Sequence, residues 1–163
     1  MTVTERLAGL GVVLPKPPAP IASYVGAMES QGQVIVSGQL SLGADGKLAP
    51  AHVGKVGGDV TPEVASEAAR LCAINVLAQL AAVLAPFGGT LDQVRCLRLG
   101  GFINNAPGFT GLAGVMNGAS DLMVAALGDN GRHARSTVGV AELPLGACVE
   151  VEALFAVEGA LAR

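Results

Sequence analysis

The chain has 163 residues, 51% of them hydrophobic, with only 14% charged, 3% aromatic, no Trp and a net charge of −3. That length suits one domain with a real core, and the acidic balance, with no Lys/Arg run, gives no electrostatic support for binding nucleic acid or an acidic membrane. So few charges leave little to solvate the surface of a lone chain, which implies that other subunits cover part of it.

Residues 1–14 predict a short amphipathic helix with Leu7, Leu10 and Leu14 at helical spacing, stopped by Pro15, Pro17, Pro18 and Pro20. The early acid and short apolar run of this segment do not match a signal peptide. No stretch approaches the roughly 18 continuous apolar residues of a membrane span, so the protein reads as cytoplasmic. Tyr24–Met28 and Gln33–Leu40 read as strands joined across Glu29-Ser30-Gln31-Gly32, with Val34-Ile35-Val36 a buried β-branched run. Asp45-Gly46 marks a turn. The cluster Gly54-Lys55-Val56-Gly57-Gly58-Asp59 has neither Walker nor dinucleotide spacing and reads as a mobile loop.

Thr61-Pro62-Glu63 is a helix start, with Thr as N-cap, Pro at the first helical position and an acid beside the dipole. The helix runs to about Ala85, where Pro86, Gly88 and Gly89 end it, and Val64, Ala68, Leu71, Ile74, Ala78, Ala81 and Leu84 form its sheet-facing stripe. Asn75 reads as a satisfied polar residue at the edge of that stripe. Val94–Phe102 predicts a strand whose Gly100 and Gly101 mark a bulge or close backbone approach, with Arg95 and Arg98 on opposite phases. A second helix is expected over Phe109–Leu127, ended by Gly128-Asp129-Asn130-Gly131.

The segment HARSTVGVAELPLGACVEVEALF, His133 to Phe155, holds two alternating runs split by Leu143-Pro144-Leu145-Gly146. If that split reverses the chain, the two strands lie antiparallel, with Arg135 and Glu150 on one sheet. A planar guanidinium grips a carboxylate bidentately, and a nearby carboxylate orients water or moves a proton. On the pattern alone, a solvated surface pair is the commoner reading of the two residues. Nucleophilic catalysis has no GxSxG elbow to rest on. Cys72, Cys96 and Cys148 are odd in number and far apart, without a CxxC, which argues against a disulfide framework and a cysteine-based zinc site. His52 and His133 lack metal-ligand spacing.

The stretch ARSTVGV…LPLGACVEVEA resembles the closing signature of the RidA/YjgF family, the endoribonuclease L-PSP-like proteins: an Arg-Ser dipeptide, a Leu-Pro turn, then a Val-Glu-Val-Glu-Ala strand. Tyr24 followed by VIVSGQL at 34–40, and Asn117, resemble other parts of the family pattern, so the likeness covers most of residues 20–157. It implies a chorismate-mutase-like α+β fold, a mixed β-sheet with two helices packed on one face. It also implies a single domain over 1–163, residues 1–20 being an N-terminal extension, and a homotrimer with clefts between subunits.

In the family, the arginine matching Arg135 holds the substrate carboxylate, residues matching Tyr24, Asn117 and Glu150 line the cleft, and the glutamate handles water or a proton. Thr137 stands where many members carry Cys and joins the substrate-binding set. Well-studied members hydrolyse enamines and imines such as 2-aminoacrylate to 2-keto acids and ammonia. The resemblance therefore implies a deaminase of small carboxylated metabolites that needs no metal or organic cofactor. The alternatives are a non-catalytic binder or sensor of 2-keto acids in the same cleft, and the ribonuclease of the family's name. The acidic pI of about 5.3 and the lack of a basic, aromatic groove argue against ribonuclease action. Ala22-Ser23 and Val25-Gly26 depart from the family's Gly-Pro and Ser-Gln around the tyrosine, as in a divergent, longer branch.

Overall fold

A computed structural model describes residues 1–17 and 23–159. The elements are α1 (Val3–Gly9), β1 (Ala27–Ser30), β2 (Gln33–Leu40), α2 (Pro62–Leu84), β3 (Val94–Asn104), α3 (Leu112–Leu127), β4 (Ala134–Val140) and β5 (Val149–Val157). The strands form one sheet in the order β1-β2-β5-β3-β4, antiparallel throughout except for the parallel β3–β4 pair. The mixed sheet with α2 and α3 on one face is the α+β architecture that the sequence implied.

Local chemistry explains each boundary. Thr61 Oγ1 accepts from the Val64 N–H at 3.3 Å with Pro62 at the first position, so α2 begins where its cap predicts. Gln31 and Gly32 both have positive φ (53° and 76°), the requirement of a two-residue hairpin turn matched to strand twist. Pairing then extends outward from Ser30↔Gln33 to Ala27↔Val36 and stops where β2 shifts register between Val36 and Gln39. The first strand is therefore Ala27–Ser30 rather than Tyr24–Met28, and Tyr24 lies outside it.

The first helix is shorter than expected. A capping box between Thr2 and Glu5 starts it, and Gly11 at φ +68° ends it before any proline. Val3, Leu7 and Val12 are buried while Leu10 is 41% exposed, so the Leu7-Leu10-Leu14 stripe does not hold. The expected stops Pro18 and Pro20, and the family departure at Ala22, lie outside the described residues. α3 starts at Leu112, not Phe109, because Phe109 is held in a turn by its N–H to the Ala106 carbonyl (3.2 Å).

The two closing strands do not form a hairpin. β3 lies between them, with Leu99 paired to Arg135 on one side and Ala153 on the other. β3 bulges between Cys96 and Arg98, which puts Arg95 and Arg98 on the same exposed face rather than on opposite phases. Its glycines serve close approach: a Cβ at Gly100 would meet the Glu152 side chain, and one at Gly101 would meet Met116. The Gly54–Asp59 cluster is clamped, not mobile. Val56 is fully buried, and Lys55 Nζ donates to Asn104 Oδ1 (2.8 Å) and the Ala141 carbonyl (2.6 Å).

The core lies between the sheet and the two helices, built on Val34, Val36, Val149, Val151 and Phe155 below and Leu77, Leu80, Met116 and Met123 above. The sequence holds no unbroken apolar run of membrane-spanning length, but the helical run Pro62–Phe87 is long and apolar enough by length and composition to cross a bilayer, with a mean hydropathy of 1.8 over an 18-residue window of which 61% is buried inside the fold. Its apolarity is used against the sheet and α3. Asn75 is satisfied as expected, its amide donating to the Leu40 and Leu42 carbonyls at 2.9 and 3.0 Å.

Candidate functional site

Strand alternation and register sort the predicted site residues. The buried residues Val149, Val151, Ala153 and Phe155 of β5 face the helices, so Glu150 and Glu152 face the opposite, open side. Arg135 and Thr137 of β4 align through Leu99 and Gly101 with Ala153 and Val151 and share the helix side. Arg135 and Glu150 thus lie on one sheet, as anticipated, but on opposite faces of it.

On the helix side, Arg135 reaches α3. Its Nη1 donates to Asn117 Oδ1 (3.1 Å) and Ser120 Oγ (3.0 Å), and its Nη2 donates to the Ala113 carbonyl (3.3 Å). A guanidinium has five N–H donors. Nε–H and one Nη2–H are left without a protein acceptor among the described residues, enough for a two-point grip on a carboxylate. Thr137 stands beside it on the same face, its hydroxyl oxygen buried with no hydrogen-bond partner among the described residues. The structure thus brings Asn117, Arg135 and Thr137 together on the helix side of the sheet.

On the open side, Glu150 lies over Gly38, where an added Cβ would collide with its carboxylate. Burial, and secondarily the charge of Glu152, raise the Glu150 pKa above the ordinary carboxylate value. Ser37, next to Gly38, donates its hydroxyl to the Val25 carbonyl at 2.7 Å, tying in the segment that carries Tyr24. Tyr24 is 60% exposed.

Sequence reasoning misses Ser120 and gives His133 no role. Ser120 lies one turn beyond Asn117, so the two share a face of α3; that spacing was the available signal. His133 Nε2 sits 3.0 Å from Ser120 Oγ and Nδ1 sits 2.6 Å from the Gly131 carbonyl. Among the described residues, no group of three or more His, Cys, Asp or Glu side chains is placed to hold a metal.

Residues 15–157 match the family described as Endoribonuclease L-PSP. The chain belongs to this family. Protein TCP17 of Trypanosoma cruzi is 44% identical over 154 residues, covering 93% of this chain and 92% of that protein. A crystal structure of a protein of unknown function from Agrobacterium tumefaciens is 41% identical with a TM-score of 0.86, covering 96% of this chain and 92% of that one. At 22% identity, E. coli TdcF, solved with bound serine, shares the fold with a TM-score of 0.58, covering 88% of this chain and 94% of that one.

Proposed function

We propose that this RidA/YjgF-family chain hydrolyses small 2-imino acids to 2-keto acids and ammonia, in clefts that two copies of the chain build together within a homotrimer. The observation that carries the reading is the division of the site. Arg135 with Asn117 and Thr137 faces one side of the sheet, and Glu150 faces the other. One small molecule meets both groups only when the open face of one copy approaches the Arg135 edge of the next.

The open face is suited to such burial. The aligned row Met28–Ile35–Leu154 crosses it, with Met28 and Ile35 58% and 59% exposed. In the cleft, Arg135 fixes the substrate carboxylate, and Glu150 takes a proton from water as its oxygen adds to the imine carbon, then passes it to the nitrogen as the C=N double bond becomes single. The carbinolamine collapses to the keto acid and releases ammonia. The raised pKa of Glu150 supports proton exchange closer to neutrality than an ordinary carboxylate allows. The serine bound to TdcF is a small carboxylated molecule of the class that Arg135 fits. Ribonuclease action finds no support in a net charge of −3.

The test is ketoacid release from enzymatically generated 2-imino acids by wild type, Arg135→Ala, Glu150→Gln, and trimers reassembled from the two variants together. Each variant alone is expected to be inactive. In a mixed ring, roughly one cleft in three pairs a native arginine with a native glutamate and regains activity. No acceleration by wild type across an imine panel overturns the deaminase reading in favour of a carboxylate binder. Inactive mixed trimers overturn the shared cleft.

A further inference from the structure

The fork of Arg135 is held from behind by a continuous hydrogen-bonded chain that ends at His133. A carbonyl oxygen only accepts, so the 2.6 Å contact to Gly131 puts the imidazole proton on Nδ1. In the neutral ring Nε2 then has a lone pair, and the Ser120 hydroxyl 3.0 Å away donates to it. With its hydrogen committed there, Ser120 Oγ offers lone pairs to Arg135 Nη1 at 3.0 Å. The backbone sets the far end of the chain: a Cβ at Gly131 would collide with the Met123 carbonyl of α3, so glycine lets this loop lie against the helix. That contact brings His133 within reach of Ser120, on the exposed face of α3 that also carries Asn117.

We propose that His133 is a positioning residue, acting through Ser120 to hold the Arg135 guanidinium in the orientation that presents its free N–H pair to a substrate carboxylate. This deepens the proposed function and rests on its assignment of Arg135 to the carboxylate. Without His133, the Ser120 hydroxyl turns back toward its own helix carbonyls, as serines within helices do. Nη1 then keeps Asn117 but loses a partner of fixed direction. His133 need not touch the ligand; its effect passes through one hydroxyl.

The experiment uses the full chain and two readouts. The first needs no ligand: ¹⁵N–¹H spectra of the Arg135 side chain, with ring ¹⁵N shifts of His133. Wild type is expected to show the Nδ1–H tautomer and separate Nη signals from a guanidinium whose rotation is hindered. His133→Leu and Ser120→Ala are expected to merge those signals, and His133→Gln, whose side-chain carbonyl accepts at the reach of Nε2, to keep them apart. The second readout is the affinity for pyruvate, as a simple 2-keto acid. His133→Leu and Ser120→Ala are each expected to weaken it about fivefold, and the double variant no further, because the two act in series.

Separate Nη signals in His133→Leu, or additive losses in the double variant, overturn the positioning role. Pyruvate binding that survives Arg135→Ala overturns instead the assignment of the carboxylate to Arg135, a failure of the parent reading. Ser120→Ala is compatible with α3, so the chain can be tested even if the histidine variants fold poorly.

Discussion

Glu150 is the residue whose surroundings make the sharpest forecasts. Burial and then the negative charge of Glu152 raise its pKa. Folding therefore favours the protonated form, and the ionised side chain costs stability once pH rises through the window between the unfolded and folded values. Glu150→Gln should raise Tm at pH 7 by about 2 °C, since solvent still reaches the partly buried carboxylate and keeps the cost to about 1 kcal/mol. The gain should disappear as pH falls below the ordinary carboxylate range; a gain that grows toward acid would contradict the sign. Glu152→Gln removes one of the two causes, so the acidic limb of the ketoacid-release profile should move to lower pH. The thiols form a contrasting set. Burial pushes Cys96 to about 12 and Cys148 to about 11, and raises Cys72 as well. Native protein at pH 8 should leave all three unlabelled by an aromatic disulfide reagent over minutes, and unfolded protein should label all three.

Among the elements, the α2–α3 contact depends on glycine. A Cβ at Gly118 would strike the Ser66 carbonyl, whereas one at Gly114, a turn earlier on α3, meets nothing. Gly118→Ala should cost about 2 kcal/mol and roughly 4–8 °C in Tm. Gly114→Ala should be neutral or stabilising by up to about 0.5 kcal/mol. Thermal unfolding of the pair separates crowding from helix propensity. The element boundaries legible in sequence have local causes: the Thr61-Pro62 cap of α2 and the β-branched run of β2. What was not legible is non-local. Nothing within 133–155 reveals that β3 inserts between β4 and β5, because that order depends on pairings with a strand some forty residues earlier. The arginine–serine–histidine chain is hidden for the same reason, its members coming from a helix, a strand and the residue just before that strand, which the fold brings together. Arg135 and Glu150 could be singled out as chemistry-bearing residues, but alternation along one strand does not say which face the helices cover on another.

At the level of the whole molecule, the low charged fraction and the exposed apolar row on the open sheet point the same way. Ile35→Glu sets a charge in the middle of that row, 59% exposed in the single chain. Its scattering mass should fall to that of one chain while the far-ultraviolet spectrum stays native, and ketoacid release should fall with the mass. Retention of the oligomer would direct the search for the interface elsewhere on the surface.

The proposed division of the site between the two faces of the sheet has a kinetic corollary. Turnover in such an enzyme is not a fixed property of each polypeptide. On dilution toward the dissociation constant of the assembly, specific activity should decline steeply and show a lag on re-concentration. Pyruvate affinity confined to the Arg135 side should change far less over the same range. Divergence of those two curves would give the assembly constant directly from an activity assay.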